Sequence, residues 1–582
     1  MTRSVLLDGT PARPGPPAGP RPRRRGAVVA AIVAVAVPTL VVAVHMLAYG
    51  RWIVDDAAIT FSYARSIAAG AGPVLQPGGE LVEGYSNPAW LAVLLLGHGI
   101  GLFDHGSWFG VPDLVLFPKG VALLCCVGIF AGFHAVARAV WPRPSWWPAI
   151  VTVVAGTVTA AVPSFVIWVF SGLENPLLAL TAVTTAAVLA RARARGDLLR
   201  VSVAVTCGLL AAVAALTRPD GLVYLGAYPI AVLLTLRRDR VGAALTSTAV
   251  SVVAFAIPFG GYLGWRVLTF GRWLPNTAVA KSQGLPDVAS LARPAELVSY
   301  PGWLSAILVL GLVAAGLFQP GRHRGVLVAV LVPLVLAVGA FAVLAEDWMG
   351  VYRFATPVWP LAALAATVAA AAVLPKVPVR ARALVALLAV AGALLSGITW
   401  LGGIRTFRDT PTISMCAGAQ GMGASPNAFG DILGISSGAI ATPDIGGTAL
   451  ASRFQVIDIA GLASARIADL WRADDMAGIR DYLLVEARPA FIEIHGGWST
   501  STGLLDDPRM DTEYVPIMKT AAKSGWYVRR DLVPDDASFA AAVRHAEDVA
   551  LPQRVRYSYD APRSSCGGLE PGTAPVVEDP AR

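Results

Sequence analysis

The chain has 582 residues, of which 55% are hydrophobic and only 14% charged, with a formal charge of +8. Soluble domains carry about 25% charged residues, so this composition excludes a water-soluble globular protein. The surplus positive charge is arginine in short clusters between apolar runs. That is the positive-inside distribution of a multi-pass membrane protein, and it argues against nucleic acid as a partner.

The first segment, 1–26, is rich in Pro and Arg and is expected to be disordered and cytoplasmic. The run at 27–49 is too long for the apolar part of a signal peptide and is read as a retained first helix. Further apolar runs lie at 88–103, 115–139, 149–169, 173–190, 201–217, 221–236, 241–265, 303–319, 325–345, 354–374 and 382–401, giving twelve candidate spans. Basic segments at 191–200, 237–240, 321–325 and 375–382 belong on the cytoplasmic side. Five crossings before residue 190 would put "RARARGDLLR" outside. The shortest early run, 88–103, is therefore expected not to cross alone. About eleven crossings result, with the N-terminus inside and 27–401 as one transmembrane domain.

This topology gathers the polar motifs on the outer side. The first outer loop, 50–87, opens with Asp55 and Asp56 in "DDAAITFSYARS". Apolar residues at Ile59, Phe61, Tyr63, Ile67 and Ala68 predict a short amphipathic helix lying on the membrane, capped by its aspartates. Adjacent carboxylates repel, which raises one pKa and suits a general base. "GGELVEGYSNP" supplies Glu83, Tyr85 and Asn87, and "SGLENP" supplies Glu174. "TRPDG" holds Arg218 beside Asp220, and "GRWLPNTAVAKS" holds Arg272, Asn276 and Lys281. "EDWMGVYRF" carries Asp347, Trp348, Tyr352 and Arg353.

Arg218, Lys281, Arg353 and Arg272 are candidates for binding a donor phosphate. Glu83, Tyr85, Asn87, Glu174, Asn276, Asp347, Trp348 and Tyr352 are candidates for sugar or acceptor contacts. The competing structural readings are a glycine-rich turn "PGGELVEGY" at 77–85, a helix cap at Glu174, an Arg218–Asp220 anchor pair and an interfacial aromatic belt.

Residues 402–582 lose the long apolar runs and read as an extracytoplasmic α/β domain. "GAIATPDIG", "RFQVIDIAG" and "AFIEIHGG" predict strands, and "DDMAGIRDYLLVEARP" a helix. Cys416 and Cys566 flank this domain and are either a disulfide or two thiols, while Cys125, Cys126 and Cys207 are core residues of apolar runs. His45, His98, His105 and His134 lack ligand spacing, and neither a metal site nor a cofactor motif is read from the sequence.

Residues 52–90, "WIVDDAAITFSYARSIAAGAGPVLQPGGELVEGYSNPAW", resemble the first outer loop of bacterial GT-C-fold glycosyltransferases. The resemblance is closest to the terminal β-(1→2) arabinofuranosyltransferases of mycobacterial and corynebacterial cell walls. "QPGGELVEGYSN" (76–87), "SGLENPL" (171–177), "LTRPDG" (216–221), "LPNTAVAKS" (274–282) and "DWMGVYRFATP" (347–357) match in order, and "ATPDIG…VIDIAGL" resembles that family's outer tail. The resemblance implies an enzyme of the cytoplasmic membrane with a GT-C-like helical fold. It would use a polyprenyl-phosphate sugar such as decaprenyl-phosphate arabinose, with Asp55 and Asp56 as the catalytic pair. The acceptor would be an extracytoplasmic glycan such as arabinogalactan or lipoarabinomannan. Ala58, Ala278 and Val279 stand where bulkier aromatic residues are common in the family, which touches sugar identity more than reaction type. A polyprenyl-phosphate-mannose-dependent mannosyltransferase is the nearest alternative. A lipid-linked glycan flippase, or an assembly scaffold, is the other. Transporters favour midplane charges and internal repeats, whereas the acidic pair here lies in an outer loop.

Overall fold

The computed structural model describes residues 23–282, 288, 290–521, 523–559, 566 and 569; residues 1–22 of the basic N-terminal segment lie outside the described residues. Helix α1 (Arg23–Met46) leads to α2 (Asp55–Ala68) and α3 (Pro88–Gly99). A small hairpin, β1 (Ser107–Trp108) and β2 (Val111–Pro112), precedes α4 (Asp113–Val140). Then come α5 (Trp147–Ala161), α6 (Pro163–Val169), α7 (Asn175–Arg195), α8 (Val201–Thr217), α9 (Ala227–Leu233) and α10 (Val241–Phe270). The short α11 (Asn276–Ala280) and α12 (Pro294–Ser299) are followed by α13 (Trp303–Phe318), α14 (Arg322–Val343), α15 (Val358–Val373) and α16 (Val379–Asp409).

Among the described residues, seven helices are long and apolar enough to cross a membrane, or nine if each of two bent pairs is one span. The pair α5–α6 bends by 79° at Pro163, which has no N–H to continue the ladder. Helix α3 has 12 residues and so reaches only about 18 Å, short of the roughly 30 Å hydrocarbon core. The apolar run at 221–236 is a 3-10 stretch followed by the seven-residue α9. Outward faces are apolar, as at Ile257 (70% exposed) and Leu387 (65%), which is the arrangement lipid requires. Small residues bring the helices together. A methyl group at Gly208 would collide with the Ser251 carbonyl, so α8 and α10 depend on glycine there.

Helix α16 continues to Asp409, past the boundary expected at 402. Its last turns are polar but carry Arg405 and Arg408, whose long stems let a helix leave the apolar layer unbroken. The C-terminal domain, called the outer domain here after the side on which its sequence places it, then runs through α17 (Ser425–Leu433), β3 (Ala439–Thr442), α18 (Ile445–Ala451), β4 (Gln455–Asp458), β5 (Phe491–Ile494), β6 (Tyr514–Ala521) and β7 (Ser524–Arg529). Its five strands are ordered β4-β3-β5-β7-β6. Strand β3 is parallel to β4 and β5, while β7 is antiparallel to β5 and β6. Side-chain alternation in β5 explains its two cores: Phe491 packs with Phe429, Phe454 and Trp526, and Ile492 and Ile494 pack with Ile467 and Leu483 on the other face. The predicted helix at 474–489 is Met476–Asp481 continued by a π-helical turn.

The first outer loop departs from its expected placement. Helix α2 forms, but ten of its 14 residues are buried, so it lies inside the protein instead of on the membrane. Its small polar residues, Thr60, Ser62 and Ser66, are buried along with its apolar ones, so protein covers the helix on more than one face. One continuous core joins the bundle, α2 and the α18 residues Ile445, Ala449 and Leu450. The aspartates do not cap the helix through their side chains; Val54 is the N-cap, and Asp55 and Asp56 occupy the first turn.

One further tie holds the outer domain to the membrane domain, and one closes the outer domain on itself. Arg65 of α2 bonds Asp104 at 2.6 and 2.7 Å and donates to the carbonyls of Leu450 and Leu569. Cys416 and Cys566 form a disulfide across 150 residues of chain. Closing so long a loop restricts the unfolded chain by about 5 kcal/mol on the chain-entropy argument. Cys125, Cys126 and Cys207 are buried thiols, so mild reductant acts on this bridge. Cys416→Ser, or reduction of the intact protein, is expected to lower the thermal midpoint of the outer domain by several degrees in a scanning fluorescence measurement. An unchanged midpoint would show that the bridge does not stabilise the fold.

Candidate functional site

The two adjacent aspartates have different surroundings. Asp55 is 3% exposed, and its carboxylate accepts from the backbone N–H of Gly447 (2.8 Å) and Gly446 (3.2 Å) in the first turn of α18. Its own N–H donates to the Ile413 carbonyl at 3.0 Å. Methyl groups at Gly446 or Gly418 would collide with Asp55, so the approach exists only because both residues are glycine. Burial pushes the Asp55 carboxyl well above the usual range, followed by the charge of Asp444; the Gly447 and Gly446 amides oppose this, and Asp56 is a smaller cause than Asp444. Neighbouring residues on a helix diverge by about 100°, which is why the sequence-level repulsion between the pair is weak.

Asp56 is half-buried, and its side chain makes no hydrogen bond or ion pair among the described residues. Burial raises its pKa, Lys281 and Arg353 pull it down, and Asp347 and Asp444 push it up. Lys281 ends α11 with an exposed side chain that carries no hydrogen bond or ion pair among the described residues. Arg353 is buried and bidentate with Asp347, at 2.7 and 3.0 Å. The loop joining them is strained: Val351 and Tyr352 have φ of 48° and 53°, a region that costs a β-branched residue about 1–3 kcal/mol. Ser164 and Trp168 hold it by donating to the Val351 carbonyl at 2.8 and 3.0 Å.

A second guanidinium lies beside the first. Arg218 bonds Asp220 at 2.8 Å and Glu174 at 3.1 Å, and Glu174 also accepts from Asn87 at 2.8 Å. Asn87 in turn accepts from Thr60 of α2 at 3.2 Å. The Phe354 ring lies 4.6 Å from Arg218 and 4.8 Å from Arg353, a cation–π contact to each. Hydrogen bonds, ion pairs and the shared ring thus connect "DDAAIT", "YSNP", "LENP", "TRPD" and "DWMGVYRF", and Lys281 faces them through its charge on Asp56.

The other expected residues are placed elsewhere in the architecture. Glu83 is buried and bound by Arg266 (2.5 and 3.2 Å) and Tyr262 (2.6 Å), so both its oxygens already have partners. Tyr85 is buried against Tyr63, 5.0 Å between ring centres. The Asn276 amide donates to the carbonyls of Gly461, Leu462 and Ser464, tying α11 to the outer domain. Arg272 is bidentate with Asp469 at 2.7 and 3.0 Å. Trp348 is 63% exposed, and Tyr352 meets Tyr300 edge-on at 5.0 Å. Of the four phosphate candidates, Arg218, Arg272 and Arg353 carry carboxylates already, which leaves Lys281.

Several contributing residues gave no readable functional signal. Arg266 and Tyr262 sit in the long apolar α10, and Gly446 and Gly447 meet Asp55 only across some 390 residues. Asp458, at the end of β4, accepts from Ala463 (2.6 Å) and Gly461 (3.1 Å); burial pushes it up to about 7 against those amides. Asp444 N-caps α18 and accepts from His495 Nε2 at 2.6 Å. Burial alone would lower the His495 pKa, but Asp444 and Glu493 outweigh it and raise it. Asp444, Glu493 and His495 have potential ligand atoms within 4.8 Å of one another. Glu493, however, is fully buried and already bound by Arg554 and Thr442 at 3.0 Å each, so its charge is met without a metal ion.

No protein family and no curated protein matches the chain. Among solved structures, ArnT from Cupriavidus metallidurans bound to undecaprenyl phosphate superposes with a TM-score of 0.53 at 14% identity, covering 87% of this chain and 99% of that one. The archaeal oligosaccharyltransferase AglB from Archaeoglobus fulgidus, in complex with an inhibitory peptide and a dolichol-phosphate, gives a TM-score of 0.47 at 9% identity, covering 81% of this chain and 69% of that one. The likeness to ArnT shows the fold: this chain is a GT-C-like polytopic helical membrane protein with a C-terminal sheet domain.

Proposed function

We propose that the chain transfers a glycosyl group, arabinofuranose by its sequence resemblance, from a polyprenyl-phosphate donor to an acceptor glycan at the membrane face bearing the outer domain. The observation that carries this reading is a carboxylate, Asp56, within charge range of a cation, Lys281, neither side chain having a hydrogen bond or ion pair among the described residues. That ArnT, of the same fold, is solved with undecaprenyl phosphate is consistent with a lipid-phosphate donor.

In this reading Asp56 is the catalytic base. It takes the proton of an acceptor hydroxyl as that oxygen bonds to the anomeric carbon. The bond from that carbon to the phosphate oxygen breaks, and polyprenyl phosphate leaves with the electron pair. Lys281 meets the growing phosphate charge. Arg353 and Arg218 hold the site's shape through their carboxylates, and Asp55 is a positioning residue.

Purified protein given radiolabelled polyprenyl-phosphate arabinose and an oligosaccharide acceptor is expected to form arabinosylated product. Transfer from polyprenyl-phosphate mannose instead would make it a mannosyltransferase, and transfer from neither would overturn the reading.

The two aspartates are expected to separate. Asp56→Asn should lower the rate by about 10²–10⁴-fold, the usual worth of a general base, with an unchanged thermal midpoint. Asp55→Asn turns an amide NH₂ toward a Gly446 or Gly447 N–H and leaves that buried donor unmet. It should therefore destabilise the fold by about 1–3 kcal/mol. Equal rate losses with no stability difference would refute the division of roles.

The acid limb of the pH–rate profile supplies a signed test. Transfer needs ionised Asp56, whose pKa is raised above the free value, so the limb lies above that of free aspartate. Lys281 pulls that pKa down. Lys281→Gln should shift the limb to higher pH, and Lys281→Arg should restore it. A limb that Lys281→Gln leaves in place would remove Asp56 from the base role.

A further inference from the structure

We propose that the opposite end of the helix bundle carries a second, separate site: an arginine-lined pocket that binds the phosphate group of an anionic ligand. A cavity of about 390 Å³ is lined by Arg138 near the end of α4, Arg191 and Arg195 in the last turns of α7, and Arg322 at the start of α14. No carboxylate lines it among the described residues. Asp197, next along the chain, is paired with Arg200.

The distance from the acidic site follows from α7. That helix begins beside Glu174 and ends at Arg195, 21 residues or about 30 Å later. This is the thickness of the hydrocarbon core, so the two sites belong to opposite membrane faces.

Topology alone accounts for arginines in loops on one side, and helix dipoles account for about one cation at each C-terminal end. Neither requires four guanidiniums from three helices to converge on one concavity, where they repel each other unless an anion sits between them. Two are held in place: Arg138 donates to the Pro142 carbonyl at 3.3 Å and Arg322 to the Ala194 carbonyl at 3.0 Å. Arg191 and Arg195, one helical turn apart, are exposed and make no side-chain hydrogen bond or ion pair among the described residues. Their forked donors match phosphate oxygens.

The rim indicates depth. Trp141, beside Pro142, stacks on Trp147 at 5.8 Å and meets His323, beside Arg322, edge-on at 5.3 Å. Indole rings concentrate at headgroup level, which favours a phospholipid headgroup over free phosphate as the bearer of the anion.

The test uses the full chain in detergent. Native mass spectrometry follows binding of phosphatidic acid against diacylglycerol of the same chains, and equilibrium dialysis with radiolabelled inorganic phosphate runs in parallel. Saturable phosphatidic acid binding without diacylglycerol binding is expected. Arg191→Gln/Arg195→Gln should weaken it about tenfold or more, whereas Arg380→Gln/Arg382→Gln, also basic but outside the cavity, should change it less than about twofold. Both altered pairs lie on exposed helix ends, and an unchanged elution profile verifies folding. Binding of inorganic phosphate alone, with the same variant dependence, would assign the pocket to a soluble phosphate ligand. Equal loss in both double variants, or no binding of either probe, would overturn the site.

Discussion

The arrangement rests on one interdomain contact, the Asp55 carboxylate accepting the Gly446 and Gly447 amides. A buried carboxylate is costly unless donors meet it, and here the donors come from the outer domain while the acid comes from the first loop of the membrane domain. Neither partner is satisfied unless the two domains dock. The contact also fixes the rotation of α2 about its axis. With Asp55 turned into α18, a helical step of about 100° turns Asp56 away from the clamp and within charge range of Lys281 and Arg353. Asn276 and Arg65 reinforce the same docking from two other directions.

The cluster beyond the clamp is mostly self-neutralising. Arg218 and Arg353 face Glu174, Asp220 and Asp347, all with side chains at most about a tenth exposed. Buried ion pairs of this kind contribute little net stability, because desolvation offsets their attraction. What they supply is placement: α2, α3, α7, α8 and the 347–353 loop are tied together by the chain Thr60–Asn87–Glu174–Arg218 and the Phe354 ring shared by Arg218 and Arg353. The left-handed backbone at Val351 and Tyr352 has the same character, a local cost sustained by Ser164 and Trp168. A rigid frame of paired charges around one carboxylate and one ammonium that have no bonded partner among the described residues is a more economical reading than four independent phosphate-binding cations.

Patterns with short periods were legible in the sequence. The apolar runs gave the helical bundle, the "DDAAITFSYARS" periodicity gave α2, and alternation in "AFIEIHGG" gave β5 with its two-sided burial. What was hidden is pairing at long range. Glu83 looked available for a ligand because Arg266 and Tyr262 lie about 180 residues away in an otherwise apolar helix. Arg272 looked free because Asp469 belongs to another domain. Amphipathicity correctly gave α2 as a helix but not what covers it, since small polar residues can face protein as easily as water. The hairpin of β6 and β7 left no clear alternation in β6, whose register shifts near Pro516 and Lys519.

The adjacent acids of the first loop therefore need a different explanation from the one their sequence suggests. Side-by-side placement implies mutual repulsion as the cause of a raised pKa. In the folded chain burial is the largest cause for both acids, followed for Asp55 by Asp444, a residue of the outer domain that N-caps α18 and is itself held by His495, and for Asp56 by the opposing charges of Lys281 and Arg353. The proton affinity of Asp56 is thus set by groups on three separate segments: Lys281, the 347–353 loop and the outer domain. Docking of the outer domain both seats Asp55 and brings the Asp444 charge to the pair. A membrane domain lacking the outer domain would keep the sequence "DD" intact while losing the amides that seat Asp55 and the Asp444 charge that raises both acids.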